Sequence, residues 1–252
     1  MPDARHWRGI ALAEHVITLE GRVYRVVESQ EQVATVNIVD TLEEQSVLEQ
    51  LLEHSKPAPR PGSDGLHYLL FSPFRYPPLR HGSRFGGRHE PSIFYGSHRP
   101  RTARAEAAYY RFVFWFGMSS PPKRPMRSEH TLYTATYQAQ SGLKLQAEPF
   151  VSHRKTLTDP ADYQPTQALG TAMRAVGILA FEFSSARDEN AGTNAGLFDP
   201  SAFASPNVAN LEQWLCEIDG EVVRFLGLST HAVERYPLKQ FLVDGQLPAP
   251  AT

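Results

Sequence analysis

The residues that most suggest chemistry lie in SRFGGRHEPSIFYGS, residues 83–97, where Arg84 and Arg88 flank two glycines and Tyr95 follows. Glycine lets a backbone come close to a ligand, and a guanidinium can bind a phosphate through two parallel hydrogen bonds. Tyrosine offers a flat face for a heterocycle and a hydroxyl for a sugar. The stretch therefore suggests a nucleotide site. The alternative interpretation is an ordinary turn followed by a core tyrosine.

Glu106 is the acidic residue with which these groups could work. It lies in TARAEAAYYRF, residues 102–112, where alanines and aromatic residues predict a helix. The carboxylate then faces either solvent or an enclosed polar site. Arginine, tyrosine and a carboxylate together suit a nucleotide that contains a ribose and a pyrophosphate.

Several well-known motifs are absent from the sequence. It contains no GxGxxG, GxxxxGK[ST], GxSxG or HExxH pattern, which argues against a Rossmann unit, a P-loop, a serine hydrolase and a zinc protease. The ten histidines show no repeated ligand spacing, so we expect no metal site. The single cysteine, Cys216, excludes an intrachain disulfide and fits a reducing compartment. The sequence EQWLCEI around it predicts an amphipathic helix with the thiol in the core.

The overall composition indicates one catalytic-sized domain. With 252 residues, 41% of them hydrophobic, the chain can bury a substantial core. A net charge of −2 gives no positive field for nucleic acid. The N-terminus lacks the apolar core of a signal peptide, and no run approaches ~18 apolar residues. We therefore expect a cytoplasmic protein that neither spans a membrane nor binds nucleic acid directly.

Strand and helix patterns alternate irregularly, which predicts the α+β class with a largely antiparallel or mixed sheet. A capping box at Thr41 and Glu44 starts an amphipathic helix that ends before Pro57, and KPAPRPGSDG, residues 56–65, is typical of a linker. The expected regions are a strand-helix extension packed on the main body, a main domain and a C-terminal tail, at 1–60, 66–230 and 231–252. The capped helix also offers a surface through which the chain could form a homo-oligomer.

Local patterns predict the individual elements. We expect two short strands around a glycine turn in 16–28, helices in 100–118 and 159–177, and strands in 178–185, 195–200 and 222–228. The segments TLYTATYQAQSG and LKLQAEPF, residues 131–142 and 143–150, predict a hairpin. The preceding residues, 119–130, have the composition of a flexible loop.

The order of the motifs resembles that of the RES domain family, the NAD-consuming toxins of bacterial toxin-antitoxin modules. The matching segments are FRYPP, SRFGGR, IFYGS, TARAEAAYYR, DYQPTQALG and ILAFEFSSARDENAGTNAGLFDP, between residues 68 and 200. The resemblance implies a fold similar to that of ADP-ribosyltransferases, NAD bound in a cleft as the substrate, and cleavage of the nicotinamide-ribose bond. It also implies a partner, an antitoxin with a helix-turn-helix domain whose C-terminal segment covers the cleft.

The resemblance also assigns residues, position by position. The family's early Arg-Tyr pair falls on Arg75 and Tyr76, its Gly-Gly-Arg arginine on Arg88, its active-site tyrosine on Tyr95 and its glutamate on Glu106. For the family's serine there are two candidate positions, Ser185 in SSARD and Gln164 in DYQPTQALG.

In this interpretation, Glu106 stabilises a ribose oxocarbenium ion, and Arg75 or Arg88 binds the pyrophosphate. Tyr95 stacks on the dinucleotide, and Arg84 supports the turn. The acceptor of ADP-ribose stays open between water, phosphate and a protein side chain. The alternatives are a mono-ADP-ribosyltransferase that modifies a protein and a nucleotide-binding module without turnover.

Overall fold

The computed structural model describes residues 7, 9–29 and 39–249, and these residues build one mixed sheet flanked by helices. The strands are β1 (Ile17–Glu28), β2 (Phe94–Ser97), β3 (Met126–Lys144), β4 (Ala180–Ser184), β5 (Thr193–Leu197), β6 (Ala209–Ile218), β7 (Val222–Gly227) and β8 (Val233–Pro237). The helices are α1 (Leu42–Ser55), α2 (Tyr68–Arg75), α3 (Pro100–Phe116), α4 (Arg154–Leu157) and α5 (Gln164–Ala175). The expected α+β class with a mixed sheet is confirmed.

Five of the strands close into a ring. The order β1-β2-β5-β4-β3 returns to its start because β3 also pairs with β1, and β6, β7 and β8 continue the sheet from β3. All pairings are antiparallel except the one between β3 and β4. Strands β1 and β2 pair through one residue pair, Tyr24 with Ser97, so the ring is weakly closed at this point.

Apolar side chains fill the ring and cover its outside. The cluster that includes the ring interior contains Leu19, Val23, Tyr137, Ala139 and Ala195, all of them buried. A second cluster lies between the sheet and α5, and a third joins α3 to β6 and β7. Helix α3 is therefore fixed across one side of the sheet, although the aromatic side chains of Tyr110, Phe114 and Phe116 remain exposed.

Two glycines that suggested turns lie inside long strands. Residues 16–28 do not turn at Gly21, which pairs with Tyr137 in the continuous ladder between β1 and β3. A Cβ at Gly21 would lie 2.9 Å from the hydroxyl oxygen of Tyr137, so glycine is needed there for close packing and not for a turn. The prediction of a hairpin across 131–150 was also wrong, because Gly142 likewise lies inside a strand and not in a turn. Strand β3 runs unbroken through Gly142, and its first five residues occupy part of the expected loop at 119–130.

Cys216 lies on a strand and not on a helix. The segment EQWLCEI belongs to β6, and the thiol is fully buried. Burial raises the pKa of Cys216 to about 11, which keeps the thiol protonated and unreactive. The expectation that it is a core residue is confirmed.

Helix α1 forms with the predicted capping box, in which Thr41 and Glu44 bond to each other's backbone. None of its residues is buried, and Leu51 is 62% exposed. Among the described residues it is connected to α2 through an ion pair between Glu53 and Arg75. The expected helices in 100–118 and 159–177 and the expected strands in 178–185, 195–200 and 222–228 are present. The sheet also extends past residue 230, because β8 lies within the segment for which a tail was expected.

Candidate active site

A cleft with a volume of about 440 Å³ opens between α3, the ring strands β1 and β2, and the loop that joins α2 to β2. Both apolar and charged residues line it. Those used below are Tyr24, Arg25, Tyr76, Ser83, Arg84, Tyr95, Ser97, Glu106, Tyr110, Tyr163, Phe183, Arg187 and Asn194. A mostly apolar cleft with a few converging polar groups is the usual form of a small-molecule site.

Glu106 presents the carboxylate of this cleft. It lies near the middle of α3, where Ala103 and Ala107 also line the cleft, so the helix backbone comes close to any bound molecule. The Ser185 hydroxyl donates to Oε1 of Glu106 at 2.6 Å. That hydroxyl also accepts from the backbone N–H groups of Arg187 and Asp188, at 3.1 and 3.0 Å. Its single proton is thereby directed at Glu106.

Asn194 provides a second donor to the same oxygen. Its Nδ2 donates to Oε1 of Glu106 at 2.7 Å, and its Oδ1 accepts from the Ser97 hydroxyl, also at 2.7 Å. Within the part of the chain that the structure describes, Oε2 of Glu106 has no hydrogen-bond partner. The carboxylate is therefore held through one oxygen, and the other is available to a ligand.

Tyr95 connects the cleft to the loop in front of it. Its hydroxyl accepts from the Phe85 backbone N–H at 3.1 Å and lies 3.0 Å from the Ser83 hydroxyl. The ring packs edge-on against Phe181 and Phe183. Burial raises the pKa of Tyr95 to about 12, so the hydroxyl stays protonated near neutral pH. Tyr95 thus offers its ring to the cleft while its hydroxyl fixes the loop.

Three arginines supply positive charge to the cleft. Arg25 donates to the Tyr95 carbonyl at 2.6 Å, and its guanidinium lies 5.0 Å from the centre of the Phe94 ring. Arg84 donates to the Asp159 carbonyl at 2.7 Å and stacks on Tyr163, 4.5 Å from the ring centre. Arg187 donates to the Tyr163 hydroxyl at 2.9 Å. These contacts fix the three guanidinium groups.

A family model described as RES domain matches residues 57–219, which is well over half of the chain. The chain belongs to the RES domain family. The resemblance identified from the motifs is therefore confirmed. Strand β1, with Tyr24 and Arg25, precedes the matched range and still completes the cleft of this RES domain.

A search of the curated proteins found no match. A solved structure similar to this RES domain protein is a chain in the crystal structure of the M. tuberculosis MbcT-MbcA toxin-antitoxin complex. The two share 11% sequence identity over 82% of this chain and 89% of the other, with a TM-score of 0.45.

The structure brings four of the predicted site residues of the RES domain together. Tyr76, Tyr95 and Glu106 line the cleft, and Ser185 contacts the carboxylate of Glu106. Of the two candidates for the serine, Ser185 is the one placed at the site. Gln164 is an exposed residue at the start of α5, outside the cleft lining, and its backbone N–H bonds to Asp162.

Two predicted arginines lie elsewhere. Arg75 points away from the cleft toward the linker, where it donates to Oε1 of Glu53 at 2.6 Å and to the Pro57 carbonyl at 2.5 Å. Arg88 is exposed, and it is not among the residues that line the cleft. Arg84, expected only to support the turn, does line it.

Three functional candidates were missed from the sequence. Arg25 follows the strand pattern RVY and carries no motif of its own. Arg187 and Asn194 lie within the matching segment ILAFEFSSARDENAGTNAGLFDP, but neither was predicted as a site residue. The useful signal for Arg187 was its position inside the matched SSARD motif. The role of Asn194 depends on strand register, which the sequence does not show.

The described part of the chain was compared with the requirements of a membrane-spanning helix and of a metal site. No helix there has the length and apolar character that crossing a membrane requires. No group of three or more His, Cys, Asp or Glu side chains among the same residues is arranged to hold a metal ion.

Proposed function

We propose that this RES domain protein is a toxin that cleaves the nicotinamide-ribose bond of NAD. The observation that carries the proposal is the carboxylate of Glu106 beside an aromatic and arginine-lined cleft. Ser185 and Asn194 hold it through Oε1, and Oε2 has no hydrogen-bond partner among the described residues. The family match supports the same function.

The chemistry requires stabilisation of positive charge on a sugar. Breaking the N-glycosidic bond passes through an oxocarbenium-like ribose, which a carboxylate next to C1′ or bonded to the 2′-hydroxyl stabilises. Oε2 of Glu106 would serve this role, while the two donors at Oε1 fix the orientation of the carboxylate. Nicotinamide leaves with its electron pair as a neutral base, so little acid catalysis is required.

Positioning would come from the arginines and the aromatic walls. Arg25, Arg84 and Arg187 are the groups we propose for the pyrophosphate, in place of Arg75 and Arg88. Tyr76 and Tyr95 provide faces for the planar rings of the dinucleotide. A rigid grip on both ends of NAD holds the bond to be broken in one orientation next to Glu106.

The direct test is the release of nicotinamide from NAD by purified protein, followed by chromatography. We expect Glu106→Gln to lower kcat by roughly a hundredfold or more, because the neutral amide cannot balance charge on the ribose. The amide keeps the size of the carboxylate, and a thermal unfolding curve like that of wild type shows that the fold is intact. Equal release by wild type and Glu106→Gln overturns the proposal.

The products identify the acceptor of ADP-ribose. Free ADP-ribose indicates water, and ADP-ribose carrying an additional phosphate indicates inorganic phosphate. A protein acceptor, the mono-ADP-ribosyltransferase alternative, produces a discrete labelled band when labelled NAD is incubated with cell lysate. The toxin proposal also implies an antitoxin, and the exposed Tyr76, Leu79 and Tyr110 at the cleft give such a protein an apolar surface to cover.

A further inference from the structure

Ser97 and Asn194 form a buried polar pair next to the proposed catalytic carboxylate. They lie directly opposite each other on the antiparallel strands β2 and β5, and their exposed fractions are 3% and 4%. Residues opposite each other on neighbouring strands project to the same face of a sheet. Both side chains therefore reach the face that α3 and Glu106 cover.

The hydrogen bonds of Asn194 are consistent in one orientation of its amide. Oδ1 accepts from the Ser97 hydroxyl and Nδ2 donates to Oε1 of Glu106, both at 2.7 Å. If the amide turned over, its oxygen would face the carboxylate, and two acceptors would meet without a proton between them. Ser97 supplies the one hydroxyl donor found for Oδ1 among the described residues.

We propose that Ser97 is a positioning residue, which acts on Glu106 through Asn194. By satisfying Oδ1, it keeps Nδ2 on Oε1 and leaves Oε2 of Glu106 directed at the ligand. Without this hydroxyl, a buried carbonyl oxygen lacks a donor and the amide is drawn away from Glu106. Ser185 then holds the carboxylate alone. The kinetic consequence rests on the proposed NAD cleavage, and the orientation of the amide does not.

The kinetic test uses Ser97→Ala in the nicotinamide-release assay. We expect kcat to fall by about tenfold, while KM for NAD changes by less than about twofold, because the ligand-binding arginines are untouched. Ser97→Thr, which keeps the hydroxyl, restores kcat. A wild-type kcat in Ser97→Ala overturns the proposal.

Thr131→Val is the matched control for the loss of a buried hydroxyl. Thr131 is 4% exposed on β3, a strand that contributes no residue to the cleft lining, and its hydroxyl contacts Ser29 and Gln213. We expect a comparable decrease in stability with an unchanged kcat. Loss of kcat in both variants, in proportion to their stability, indicates a merely structural role and overturns the proposal.

The side-chain amide of Asn194 gives a readout that does not depend on activity. In nuclear magnetic resonance spectra, we expect its Nδ2 protons to exchange slowly with water in wild type and at least tenfold faster in Ser97→Ala. The signal is assigned by its disappearance in Asn194→Ser. Equal exchange in wild type and Ser97→Ala contradicts the role of Ser97. If wild type releases no nicotinamide, the proposed function fails, and the exchange rates still decide the role of Ser97.

Discussion

The three arginines of the cleft differ in how much bonding capacity the protein leaves to a ligand. Arg84 and Arg187 donate to backbone carbonyls near residues 157–160 and stack on tyrosine rings. Arg25 donates to one carbonyl, and its buried Nε has no partner among the described residues. A buried donor without a partner is costly, so a bound anion at Arg25 would remove that cost.

Arg25→Met is therefore expected to weaken NAD binding more than it slows the chemistry. Losing charge-assisted hydrogen bonds worth ~1.5–3 kcal/mol raises KM by roughly 10- to 100-fold, with a smaller effect on kcat. The measurement is steady-state nicotinamide release. Arg22→Met removes an exposed arginine from the same strand and serves as the control. A KM that rises equally in both variants would indicate a general effect of charge.

Residue types alone predicted part of the site. Glu106 and Tyr95 could be chosen from their local sequence, and Ser185 only from the family resemblance. The donors to Glu106 lie 79 and 88 residues away along the chain, so spacing cannot reveal them. Arg25 was not predicted as a site residue, because it reaches the cleft only through the pairing of Tyr24 with Ser97, which joins β1 to β2.

At the scale of elements, α5 supports the loop in front of the cleft. Its Gly170 lies directly against the loop, and a Cβ there would come within 1.8 Å of the Phe85 carbonyl oxygen. Thr166, one turn earlier on α5, also contacts the loop, because its hydroxyl donates to the Arg84 carbonyl at 2.5 Å. Phe85 in turn bonds to the Tyr95 hydroxyl, so the position of α5 is transmitted to the cleft wall.

Gly170→Ala is expected to displace this loop. Overpacking of this kind typically costs about 1–3 kcal/mol, and we expect a lower free energy of unfolding together with reduced nicotinamide release. Urea unfolding and the kinetic assay measure the two effects. Gly87→Ala is the matched control, because a Cβ there meets its nearest atom, in the Glu90 side chain, at an ordinary 3.4 Å. Wild-type stability in Gly170→Ala contradicts this packing.

Elements with their own local signals were predicted from the sequence, and long-range pairings were not. The capping box of α1 and the apolar run of β4 act within a few residues, so the sequence shows them. Gly142 suggested a turn because glycine favours turns. In the ring it makes room for Leu19, whose Cγ would lie 2.5 Å from a Cβ at that position. The need for glycine at position 142 therefore follows from the pairing of β1 with β3 that closes the ring.

For the whole molecule, the cleft is open to solvent at a rim of exposed aromatic and apolar side chains. Tyr76 and Tyr110 are 45% and 47% exposed, and Leu79 is 62% exposed. Helix α1 contributes no residue to the cleft lining and buries none of its own residues. In the proposed function, a dinucleotide enters this cleft, and a protein that covers the rim would prevent its entry.

Expression in bacteria tests the toxin proposal. We expect wild type to arrest growth and lower cellular NAD, because the cleft is accessible in the free chain. Glu106→Gln, expressed to the same level, should leave both growth and NAD unchanged. Growth arrest by both variants, without loss of NAD, would indicate toxicity by another route.

The most direct test of the central claim is a crystal structure of the Glu106→Gln variant bound to NAD. We predict that the nicotinamide ribose lies within hydrogen-bond distance, about 3 Å, of the side chain at position 106. The pyrophosphate should contact Arg25. NAD bound with its nicotinamide ribose away from position 106 would contradict the account.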